Sequence, residues 1–120
     1  MTKNTLSAGV ARTDITPPIG FRLQGIMRRV EPSTGIHMPL SATALVLADN
    51  NHKVAIIDCD LVGLDLPLAV EIRENVASQL GIQTSHVTVA CTHTHNGPST
   101  MRDSLGGPHN LLAQPGELES

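Results

Sequence analysis

With 120 residues, 40% of them apolar and 16% charged, the chain suits one domain and is too apolar for a disordered tail. A net charge of −3 leaves no basic stripe to neutralise phosphates, which excludes a nucleic-acid module. No apolar run approaches the roughly 20 residues needed to cross a bilayer, so no transmembrane segment is expected.

Residues 7–16 read as a short strand stopped by Pro17-Pro18, because proline cannot donate to a sheet ladder. Residues 17–40 hold Gly20, Gly25, Pro32, Gly35 and Pro39 without a clear period and read as a long loop. Residues 41–48 and 53–59 read as two strands joined through Asp49-Asn50-Asn51-His52, whose residue types tolerate a tight turn; together they form a β-hairpin. The run Val54-Ala55-Ile56-Ile57 has no polar alternation, which predicts a strand covered on both faces.

A helix is expected next, with Asp65 as N-cap, Pro67 in the first turn and Gly81 as left-handed C-cap. Leu68, Ile72, Val76 and Leu80 recur every four residues and make its apolar stripe. Residues 85–91 then read as another strand, completing a βαβ unit whose two strands run parallel. The expected fold is therefore α/β: a hairpin plus a βαβ unit forming a small mixed sheet. From Asn96 onward the composition turns to Gly, Pro, Ser and Asn, and residues 111–120 read as an unstructured tail after a single region spanning 1–110.

Cys59 and Cys91 are too few for a disulfide framework and lie in apolar runs, so they read as small buried hydrophobes. The N-terminus lacks the apolar stretch of a secretory signal, and a cytoplasmic location is expected.

Chemistry concentrates in Thr92-His93-Thr94-His95-Asn96-Gly97-Pro98. Two His residues two apart in extended backbone point to one side, where both imidazoles can grip one divalent metal. In open α/β sheets sites collect beyond the carboxyl ends of parallel strands. His93 and His95 follow one such end, and Asp58-Cys59-Asp60 sits at the neighbouring one. Two acids and two imidazoles are thus expected to converge. His37 lies just before the second strand and is a further metal-ligand candidate. His52, His86 and His109 read as structural, and Arg28-Arg29 as a solvated charge pair. Nucleophile-elbow, dinucleotide-binding and P-loop patterns are absent.

Four segments carry a family resemblance in order: Ala8-Gly9-Val10-Ala11-Arg12-Thr13-Asp14-Ile15-Thr16-Pro17-Pro18-Ile19-Gly20; Gly35-Ile36-His37-Met38-Pro39-Leu40 leading into Ala42-Thr43-Ala44; the strand ending in Asp60-Leu61; and Cys91-Thr92-His93-Thr94-His95-Asn96-Gly97-Pro98. The sequence resembles the N-terminal part of the neutral/alkaline non-lysosomal ceramidases and their bacterial relatives. Asn96 stands where the family has Ser.

The resemblance implies a zinc-dependent amidase, whose metal is held by two His, a Glu and a Tyr and activates water against the N-acyl amide of a sphingolipid-like substrate. It makes His93 a metal ligand and places His95 near the metal, as a metal and catalytic candidate; Asp60, at the neighbouring strand tip, is the further catalytic candidate, orienting the imidazoles or serving a weak second metal. This chain has no Tyr, so the resemblance also implies that the remainder of the catalytic domain lies outside it. The alternative is a stand-alone, catalytically inactive fragment with at most weak metal binding. An unrelated amidohydrolase barrel with His-x-His at a strand end is disfavoured by the hairpin that precedes the βαβ unit.

Overall fold

Alternating small and branched residues build a four-stranded sheet from β1 (Ser7–Asp14), β2 (Ser41–Ala48), β3 (Lys53–Cys59) and β4 (Val87–Cys91). The computed structural model describes residues 3–26, 29 and 31–101. Strand order is β1-β2-β3-β4; the first two neighbouring pairs are antiparallel and β3 runs parallel to β4. The mixed sheet and the βαβ unit agree with the sequence reading. His109, Arg28 and the 111–120 tail lie outside the described residues.

β1 ends two residues earlier than expected. The Asp14 carboxylate accepts the Thr16 backbone N–H at 2.7 Å and turns the chain before Pro17. Helix α1 (Leu66–Leu80) carries both expected caps: Asp65 Oδ1 accepts from the Leu68 N–H, and Gly81 adopts φ 65° while its N–H reaches the Ala77 and Ser78 carbonyls. A 3-10 turn, Thr84–His86, replaces the start of the expected last strand.

Ala77 of α1 meets Ala55 of β3 and Val87 of β4 in the core, with Val46, Ile57, Val76, Leu80 and Ile82 packed around them. The small side chains let helix and sheet approach closely. Arg73 ties the helix to the far edge by donating to the Val87 and Thr84 carbonyls at 3.1 and 2.9 Å. These contacts lie on one side of the sheet only. Val54 and Ile56 point to the other side and are each 39% exposed, correcting the expectation that β3 is covered on both faces. Apolar continuity along a strand records what a face is built to meet, and no element among the described residues covers this one. Cys59 is buried, Cys91 is half-buried, and both are free thiols. Burial pushes both thiols above their usual pKa.

The 17–40 segment is more ordered than its composition suggests. Gly20 N–H donates to the Ser33 carbonyl and Ser33 N–H to the Phe21 carbonyl, folding the segment back on itself. Its residues 22–24 then lie against residues 97–99: Leu23 pairs with Pro98, Gln24 N–H donates to the Gly97 carbonyl, and Ser99 N–H to the Arg22 carbonyl. No described helix is long and apolar enough to cross a membrane.

Candidate functional site

The carboxyl ends of β3 and β4 and the amino end of β2 meet at one edge of the sheet, because β2 is antiparallel to β3 and β3 parallel to β4. Asp60 fastens the three tips. Its Oδ2 accepts the Ser41 backbone N–H at 2.9 Å and the Ser41 hydroxyl at 3.0 Å, and its own N–H donates to the Ser41 carbonyl. Bonds from Ser41 and Thr92, with Arg12 nearby, outweigh burial and hold the Asp60 carboxyl below the usual carboxylate range. Asp60 is therefore ionised at neutral pH.

A lowered folded-state pKa adds stability above the unfolded value of about 4, and that stability is lost as pH falls through the folded value. Asp60→Asn is expected to cost about 1 kcal/mol at pH 7, the scale of a partly exposed charge-assisted bond set. The cost should shrink as pH falls below the unfolded value of about 4, as measured by urea unfolding at pH 7 and in acid. Asp14 and Asp49 have carboxyls lowered in the same direction by hydrogen bonds, so the acid limb flattens without vanishing.

Past β4 the ladder continues for one residue: Thr92 N–H donates to the Cys59 carbonyl. His93 then takes a left-handed backbone, φ 63°, and its N–H donates to the Leu61 carbonyl. The reversal carries the imidazole back over the β3–α1 loop, where Nδ1 lies 2.7 Å from the Val62 carbonyl oxygen. A carbonyl only accepts, so Nδ1 carries the proton, and in the neutral ring Nε2 keeps its lone pair. The His95 ring stands edge-to-face with it, centroids 4.8 Å apart and planes at 77°. The imidazoles meet as expected. A backbone reversal brings them together rather than the same-side alternation of an extended strand.

The acids do not join them. Among the described residues no group of three or more His, Cys, Asp or Glu is gathered so as to hold a metal ion. Asp60 is turned to Ser41 and Thr92, Asp58 is exposed within β3, and His37 is exposed on the segment leading into β2 at this same sheet end. The donor chemistry suits zinc as a two-nitrogen contribution, with His93 oriented by a carbonyl in the manner of metal-ligating imidazoles.

Sequence reasoning missed the support beneath His95. Arg29 is half-buried rather than a solvated charge: its guanidinium donates to the His95 carbonyl, to Asn96 Oδ1 at 3.2 Å and to the Gln24 carbonyl at 3.3 Å. Gly25, φ 110°, lies against the His95 side chain so closely that a Cβ there would sit 2.5 Å from His95 Cγ. Glycine in a turn-rich segment was a faint signal of close approach; nothing in the sequence linked Arg29 to His95.

Fold and site thus define an α/β segment that presents an imidazole pair beyond the carboxyl end of a parallel strand. The family model for the neutral/alkaline non-lysosomal ceramidase N-terminal region matches residues 6–106, and the chain belongs to that family. The crystal structure of neutral ceramidase from Pseudomonas aeruginosa superposes with a TM-score of 0.77 at 22% identity, over 98% of this chain and 20% of that one. A ceramidase complexed with C2 gives a TM-score of 0.80 at 20% identity, over 98% of this chain and 19% of its own. The chain spans about one fifth of the length of these solved structures. No curated protein matches it.

Proposed function

We propose that this chain supplies part of the active site of a zinc-dependent amide hydrolase acting on an N-acyl linkage in a sphingolipid-like substrate. The carrying observation is the His93–His95 pair, with Nδ1 of His93 committed to Val62 and Nε2 left to bind. Family membership supports the substrate class. His93 and His95 are the two metal ligands, and His37 is the further imidazole at this end of the sheet. Zinc, when bound, supplies a water of lowered pKa and polarises the acyl carbonyl. The chain's own residues prepare that chemistry: Val62 fixes the His93 tautomer, and Asp60 holds the strand tips that set the backbone of Thr92 and His93. His95, held edge-to-face against His93, is the imidazole at the metal on which activity is expected to depend.

Zinc titration of the 120-residue chain, followed through the histidine ring resonances, tests this. The His93 and His95 signals are expected to move together, and His93→Ala to abolish the effect. Zinc moving only His52 or His86 would overturn the reading. Zinc binding without turnover of N-acylsphingosine is the expected result for a chain that supplies part of the site; turnover by the chain alone would overturn that reading, and no saturable binding at the pair would favour the inactive stand-alone alternative, which rests on the two-donor set.

A further inference from the structure

We infer that Arg29 is a positioning residue for His95: its guanidinium fork and the Gly25 turn together hold the second imidazole against the first. This rests on the zinc reading for its functional meaning and on geometry alone for its structural content. Residues 93–96 lie beyond the last ladder bond of β4, so the sheet does not fix His95. Its backbone carbonyl is instead taken by Arg29, which also grips the neighbouring Asn96 side chain.

Arg29 is itself held. It donates to the Gln24 carbonyl, and its own N–H donates to the Ile26 carbonyl. Gln24 is in turn anchored to Gly97, and its side-chain oxygen accepts the Thr100 N–H. The segment therefore lies along the chain from His95 to Thr100, gripping it at the His95 carbonyl and on the C-terminal side of that residue. Gly25 forms the floor, because its missing side chain is what admits the imidazole. A planar fork serves three acceptors from one fixed position, whereas an ammonium presents a single point charge.

The test compares the wild-type chain with Arg29→Gln and with Gly81→Ala, which strains the left-handed cap at the opposite end of α1. A cross-ring nuclear Overhauser effect between His93 and His95 is expected in wild type and Gly81→Ala, and lost in Arg29→Gln. Zinc alone, titrated through the same ring signals, should bind about 10- to 100-fold more weakly to Arg29→Gln, the usual effect of removing an outer support. Gly81→Ala should bind as wild type even though its thermal midpoint falls, because φ 65° strains a side-chain-bearing residue there. If Arg29→Gln does not fold, Arg29→Lys replaces it, with the same losses in smaller measure. A folded Arg29 variant that keeps both the cross-ring signal and the zinc affinity would overturn the inference. Loss of the cross-ring signal in a chain whose wild type binds no zinc would uphold the positioning and reject the zinc reading instead.

Discussion

His93→Gly is expected to abolish zinc binding at the pair and yet leave a chain more stable than His93→Ala by about 1 kcal/mol. The two variants remove the same imidazole and the same bond to Val62. They differ in the backbone, since φ at this position is 63°. A left-handed conformation costs a side-chain-bearing L-residue about 1–2 kcal/mol, partly offset by the extra freedom glycine loses on folding. In a domain of this size the difference corresponds to about 4 °C in thermal midpoint. The site thus holds a non-glycine residue in a conformation glycine would adopt more easily. Such strain persists where the side chain has a task, which under the proposed zinc reading is aiming Nε2. Equal midpoints for the two variants would remove the strain, and a zinc-binding His93→Gly would remove the ligand role.

The elements that could be read from the sequence are those coded by local chemistry. Asp65, Pro67 and Gly81 mark the ends of α1 through contacts within a few residues, whereas Pro17-Pro18 put the end of β1 two residues late, because Asp14 turns the chain first. The site was half readable for the same reason. The spacing of His93 and His95 brought both rings to one strand tip, but the geometry that unites them depends on Leu61 and Val62, thirty residues earlier, as acceptors of the His93 N–H and ring. Asp60 stood out as an acid at a strand end; its commitment to Ser41 is a pairing across the hairpin that residue type does not reveal. Arg29 was opaque because its partners His95 and Asn96 lie 66 and 67 positions away, and a loop arginine has no periodicity to betray burial. β3 was misread for another reason: an apolar run reports the faces it could cover and says nothing of which covering layers are present.

Gly25→Ala is expected to be the most damaging single-methyl change, costing about 2–4 kcal/mol, the sum of a strained backbone and an overpacked contact. The added Cβ would lie 2.5 Å from Cγ, 2.8 Å from Cβ and 2.9 Å from Cδ2 of His95. These atoms sit at the root of the side chain, so a rotation of the ring about its own bond cannot relieve the clash. Either the imidazole leaves His93, or the Arg29 bond to the His95 carbonyl opens. Each route separates the pair, so zinc affinity and the cross-ring signal should fall together with stability. A double-mutant cycle with His95→Gly separates the two causes. In that background the steric share, about 1–3 kcal/mol, should disappear, and the share due to φ 110° should remain. A cycle with no coupling would mean that Gly25 and His95 do not touch in solution, and the floor beneath the second imidazole would have to be sought elsewhere.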